Sequence, residues 1–235
     1  MANEPLAEII QGKGQSDTSP ALSPADEFAN YELFTSLLSG AGTAKSATGS
    51  YLRQAYGVGQ ELREKLGVNP FKYGIEGGTD YHSGISSTEA SNYPGSHGNQ
   101  DNDPKSVIAA TESVVGEPII MIGSGGLTGV WAEENTRAAI FAAFKRKETF
   151  GTSGVRIKVR MFAGWAYAKD ATKQADWVKA AYEQGVPMGS DLPAAPANAR
   201  PTFLVAAMKD PNSGNLDRVQ IIKVSTKHGK SREQV

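Results

Sequence analysis

The chain has 235 residues, with 24 Lys and Arg against 25 Asp and Glu, three His and no Cys. A chain this long buries a core without metal or disulfide staples, and 39% apolar with 21% charged residues marks it as globular. A net charge of −1 gives no general pull toward nucleic acid or an anionic membrane, and the lack of cysteine removes disulfides, thiolate metal sites and a Cys nucleophile. No run of about 18 apolar residues spans a bilayer. Met1 to Gly14 lacks the basic-then-apolar order of a secretory signal, which leaves the compartment open.

In chain order, Leu6-Ala7-Glu8-Ile9-Ile10 predicts a buried strand running into a Gly- and Ser-rich loop. Ser23-Pro24 predicts the cap and first turn of a short helix through Phe28 to Leu38. The spacing of Leu52, Ala55, Tyr56, Gly59, Leu62 and Leu66 predicts a helix over 50–66, closed by Gly67. Asn69-Pro70 breaks the chain, and Phe71 to Ile75 reads as a strand ending in Gly77-Gly78-Thr79-Asp80-Tyr81-His82. The Ser-, Gly- and Asn-rich stretch from Ser83 to Lys105 exceeds an ordinary connection. A short helix is expected within 107–115 and an apolar segment at 118–122. Gly126 to Trp131 reads as extended, and Ala138, Ile140, Phe141 and Phe144 mark a helix ending near Lys147.

The alternation over Val155 to Met161 predicts a strand with one wet face. Thr202 to Met208 and Val219 to Val224 are two further strand candidates, joined by the turn-rich segment from Asp210 to Asn215. A short helix over 174–184 interrupts this small antiparallel β unit, and the Lys227-to-Arg232 tail reads as a frayed end.

The sharpest chemical signal is Asp80-Tyr81-His82. On an extended chain, residues two apart point to the same side, so both side chains can reach one cation such as Zn²⁺, Mn²⁺ or Fe²⁺. The same tripeptide is also explained by Asp80 capping a turn with His82 merely hydrogen-bonded. Glu8, alone among apolar neighbours, either faces a catalytic cavity or sits at a strand edge in water. His97 and His228 read as exposed surface histidines. Gly123-Ser124-Gly125-Gly126 has neither the spacing nor the Gly-Lys-Ser/Thr of a P-loop, and no Gly-x-Ser-x-Gly elbow occurs.

Lys13-Gly14-Gln15-Ser16, Leu22 to Phe28, Gly67 to Gly74, Gly78 to His82, and Gly126 to Arg137 followed by Thr152-Ser153-Gly154 together resemble the domain-of-unknown-function family 3604. That family in turn resembles the PHP (polymerase and histidinol phosphatase) metal-dependent phosphoesterases. The resemblance implies an α/β fold: the C-terminal part of a distorted (β/α) PHP-like barrel over 1–150, then a small antiparallel β-rich, sandwich-like domain over 151–235. It implies that Asp80 and His82 are metal ligands, that Glu8 is a candidate catalytic carboxylate, and that a divalent metal (Zn, Mn or Fe) serves the intact protein. The His-rich motifs that open such a barrel lie upstream of anything in this chain. The expectation is therefore a fragment of a metal-dependent hydrolase, inactive alone, acting on an unidentified small molecule and pairing as a homodimer through exposed barrel edges. The alternative is a non-catalytic structural or protein-interaction domain.

Overall fold

A computed structural model describes residues 3–37, 43–82, 89, 113–114, 117–118 and 122–235. His97, the long polar stretch around it and most of the helix expected within 107–115 lie outside the described residues. The chain divides into two compact units. The first comprises Met1–Thr128, Gly151–Val155 and Gln220–Val235, and the second Gly129–Phe150 and Arg156–Val219.

In the first unit, the apolar run at the start forms β1 (Leu6–Gln11), which turns through Gly12-Lys13 into the antiparallel β2 (Gly14–Gln15). Helix α1 (Leu52–Leu66) follows, and Gly67 closes it in the left-handed region at φ 77°. Its first turn is satisfied from outside the helix, since the Ser16 and Asp17 carbonyls accept from the Leu52 and Arg53 N–H groups at 2.9 and 3.0 Å. The chain then returns as β3 (Gly74–Gly77), parallel to β1, with Glu8 directly opposite Glu76 and a bulge between Glu8 and Ile10. Both strands therefore end on the same side of the sheet.

The helix expected from Ser23 is a succession of turns. Its polar groups bond locally instead of feeding a helical ladder: the Ser19 carbonyl accepts from both Leu22 and Ser23 N–H, and Asp26 Oδ1 accepts from Phe28 N–H. Two-residue strands β4 (Ser113–Val114) and β5 (Glu117–Pro118) pair antiparallel, and β6 (Leu127–Val130) pairs with β7 (Thr149–Thr152) in a ribbon of their own.

The expected frayed tail is a hairpin, β11 (Lys223–Lys227) against β12 (Lys230–Gln234), turning on His228 and Gly229 at φ 54° and 72°. Helix α1 holds it: Glu61 and Glu64 accept from the Ser231 and Gly229 N–H groups, each at 2.7 Å.

The second unit contains α2 (Arg137–Arg146), whose N-terminus is capped by Thr136 accepting from Ala139 N–H at 3.3 Å. Its sheet has the order β10-β8-β9, all antiparallel, from β8 (Lys158–Gly164), β9 (Gly185–Pro187) and β10 (Thr202–Met208). Helix α3 (Trp177–Gln184) packs on it around Phe162, Tyr167, Ala181 and Leu204. Phe162 meets Trp177 and Tyr182 edge-on, with centroids 5.9 and 4.9 Å apart. The expected partner of 202–208 was the segment at 219–224. Instead β10 takes the edge of β8, while Asp210 accepts from the Arg156 and Asn212 N–H groups at 2.6 and 2.9 Å and turns the chain away.

The PHP-like (β/α) barrel is overturned. Among the described residues the strands fall into five small sheets of two or three strands, none closed, and the pairings are mostly antiparallel. A barrel needs consecutive parallel strands, each with two free edges. Here α1 links one parallel pair, and β2 occupies the other edge of β1 in the antiparallel sense. No helix among the described residues is long and apolar enough to cross a membrane.

Candidate functional site

The carboxyl ends of parallel strands are where loops converge and ligands bind in open α/β sheets. Beyond the ends of β1 and β3, backbone bonds stitch the two strand exits together: Gly12 N–H to the Thr79 carbonyl at 3.2 Å, and Gly78 N–H to the Ile10 carbonyl at 3.0 Å. Gly123 and Gly126 add bonds to the Gly12 and Gly78 carbonyls at 2.8 and 2.6 Å, so this glycine run serves as backbone stitching at the strand ends.

Into this end project Glu8 from β1, Gln11 at its last position, Lys13 from the hairpin loop, Glu76 from β3 and Asp80 just beyond it. Gln11 is the hub, since its amide donates to Asp80 Oδ2 at 2.8 Å and its carbonyl oxygen accepts from Lys13 N–H at 2.9 Å. Glu8 stays open to solvent, yet loss of hydration around its carboxyl pushes it above the usual range. Glu76 and Asp80 push the same way, against Lys13 and a bond from Gln11. Burial raises Glu76 as well, opposed by Thr128, whose hydroxyl lies 3.3 Å from Glu76 Oε2 and 2.7 Å from the Gly77 carbonyl. The Lys13 amine is lowered by burial, against the attraction of Glu8 and Asp80. A Cβ on Gly78 would stand 2.6 Å from Glu8 Oε1, so glycine there leaves room for the carboxyl.

Asp80 and His82 flank Tyr81, which is 2% exposed and donates its hydroxyl to the Gly123 carbonyl at 3.1 Å. The strand ends at Gly77, so the pair does not share a face by strand alternation. Both residues take left-handed backbone angles, φ 56° and 51°, around the buried tyrosine. Their side chains, 44% and 69% exposed, meet each other with His82 Nε2 3.0 Å from Asp80 Oδ1. No group of three or more His, Asp or Glu among the described residues is arranged to hold a metal ion. His228 is exposed at the hairpin turn.

Glu8, Asp80 and His82 stand out in the sequence, whereas Gln11, Lys13 and Glu76 do not. The available signal was the strand register: a parallel pair that brings two glutamates opposite one another.

The fold and site together define one unit with a single parallel strand pair and a carboxylate-rich end, and a second unit built on a small antiparallel sheet. The chain belongs to the family described as protein of unknown function (DUF3604), whose model matches residues 1–235. No curated protein and no solved structure matches it.

Proposed function

We propose that the end of the β1–β3 pair is a hydrolytic acid–base site acting on an uncharged ester or amide, with Glu8 as the carboxyl that holds and returns a proton. The observation that carries this reading is the placement of Glu8 opposite Glu76 on adjacent parallel strands, with Lys13 as the nearby amine. Carboxyls crowded in this way keep a proton closer to neutral pH, where it is useful for transfer. Three carboxylates, Glu8, Glu76 and Asp80, against one amine repel a phosphate dianion, which favours an uncharged substrate over the phosphoester implied by the family resemblance. Among the described residues a divalent cation would find Asp80 and His82 as a pair, short of the three protein ligands usual at a catalytic zinc.

The test compares hydrolysis of 4-nitrophenyl acetate and 4-nitrophenyl phosphate across pH by the chain and its Glu8→Gln variant. The expected result is turnover of the carboxylic ester, reduced about 10²–10⁴-fold in Glu8→Gln together with loss of one limb of the pH profile. Equal rates in the two proteins, or faster turnover of the phosphate ester, would overturn the reading. Metal content after dialysis, measured beside an Asp80→Ala/His82→Ala variant, tests the cation separately.

A second reading assigns Asp80 and His82 a structural part. It is favoured by their mutual bond and by the Gln11 bond to Asp80, which tie the segment after β3 to the end of β1.

A further inference from the structure

The loop that presents Lys13 also presents Ser16, and the two side chains meet, with Lys13 Nζ 2.8 Å from Ser16 Oγ. The turn around them is held firmly. Ser16 N–H donates to the Ile9 carbonyl at 2.6 Å, and its own carbonyl accepts from Leu52 at the start of α1. Gln15 is buried, with its side-chain oxygen accepting from Asp17 and Thr18 N–H and its amide donating to the Thr18 carbonyl. Gly14 sits at φ 112°, where a Cβ would stand 2.1 Å from the Glu32 carbonyl oxygen, so the turn is built for glycine alone.

Lys13 and Ser16 both line a cavity of about 870 Å³ within the first unit. Its walls are largely apolar, formed by Pro20, Ala21, Leu33, Phe34, Ala47 and Tyr51. Ser19 lines the same cavity at 6% exposure, and its hydroxyl has no hydrogen-bond partner among the described residues.

Resting on the hydrolytic reading above and deepening it, the geometry points to Ser16 as the nucleophile, Lys13 as its general base, and a carboxylic ester with an apolar acyl group as the substrate class. Ser16 Oγ attacks the ester carbonyl carbon while its proton passes to the neutral Lys13 amine. The resulting tetrahedral adduct expels the alcohol, which takes its proton from the Glu8 carboxyl, and the Lys13 ammonium, attracted by the Glu8 carboxylate, restores that proton to it. Water then attacks the acyl-serine, giving one proton to Lys13, and the proton returns to Ser16 Oγ as the carboxylic acid leaves. The sum is ester plus water to acid plus alcohol. Serine–lysine pairs are an established variant of serine nucleophile activation, and the burial that lowers the Lys13 amine enlarges its neutral fraction. The largely apolar cavity accepts the acyl group.

The experiment uses the full chain with 4-nitrophenyl acetate, butyrate and octanoate, followed by mass spectrometry of peptides from the acid-quenched reaction. The expected result is an acyl group on Ser16, with rates rising with acyl length. Ser16→Ala abolishes the adduct, and Lys13→Arg, which keeps the charge and the donor but is no base, slows acylation about 10²-fold or more. Circular dichroism and thermal melts matching the parent separate lost chemistry from lost fold, with Ser16→Gly, which also lacks the hydroxyl, as the replacement variant should Ser16→Ala unfold. Unchanged turnover in folded Ser16→Ala, or an adduct confined to another residue, overturns the nucleophile assignment. If Glu8→Gln still lowers the rate in that case, the acid–base reading stands without it. Absence of both turnover and adduct in the folded parent overturns both.

Discussion

Two charged clusters sit in the same unit and behave in opposite ways. In one, Arg53 reaches from α1 to Asp17, to Asp26 Oδ2 at 2.7 Å and to Glu233 on β12 at 3.4 Å, with side-chain exposures of 7% for Arg53 and 3% for Asp26. Although burial alone would raise Asp26, the Arg53 bond and the Phe28 N–H hold it below the usual carboxylate range. Burial would lower Arg53 too, yet its bonds to Asp17 and Asp26 hold it above its ordinary value. At the β1–β3 end the shifts run the other way, with Glu8 and Glu76 raised and Lys13 lowered. Charges with well-placed partners are scaffold. Charges whose loss of hydration outweighs their partners are poised to change protonation, which is what chemistry needs.

The largest effect should come from breaking the scaffold. Arg53→Met strands Asp17 and Asp26 without their cation, and urea unfolding should show a loss of about 3–5 kcal/mol. A loss below about 1 kcal/mol would place the pair among weak surface bridges. Gly14→Ala tests the reactive side: forcing a side chain onto φ 112° and against the Glu32 carbonyl should cost about 1–3 kcal/mol and displace the turn that carries Lys13 and Ser16. Its melt should fall, and ester turnover should fall further than the melt explains.

Glu233→Gln removes the longest and most exposed arm of the scaffold, for an expected loss of at most about 1 kcal/mol in the same urea experiment. The gentlest probe is pH. Glu8 has its folded value raised above 4.5, so its contribution is present below that pH and is lost as pH rises through the folded value. Asp26 has its folded value lowered from 3.8, so its contribution is present above that pH and is lost as pH falls through the folded value. Stability profiles of Glu8→Gln and Asp26→Asn, each compared with the parent, should therefore diverge in opposite directions: Glu8→Gln gains on the parent as pH rises from 4.5, and Asp26→Asn recovers toward it as pH falls below 3.8.

Elements written in local periodicity were legible in the sequence: β1 from its apolar run, α1 from its stripe and the Gly67 cap, α2 and α3 from theirs. The hairpin at the C-terminus was not, because its strands are charged and lack apolar alternation. Glu61, Glu64 and Arg53, all from α1, supply the polar bonds that hold it. The barrel expectation failed on pairing, since no local pattern announces that β2 will take the free edge of β1. Of the candidate site, Glu8 and the Asp80–His82 pair stood out as residue types in unusual surroundings. Lys13 and Ser16 sit in an ordinary-looking Gly-containing loop, and their contact depends on a turn fixed by Gln15, Gly14 and the start of α1. Glu76 became visible only through strand register.

The most direct test of the contrast between the clusters is a carbon-detected NMR titration of the Glu8 carboxyl, with Asp26 as internal reference. The Glu8 midpoint should lie above 4.5 and the Asp26 midpoint below 3.8. A Glu8 midpoint at or below 4.5 would make the β1–β3 end as well compensated as the Arg53 network, and would contradict its assignment as the reactive site.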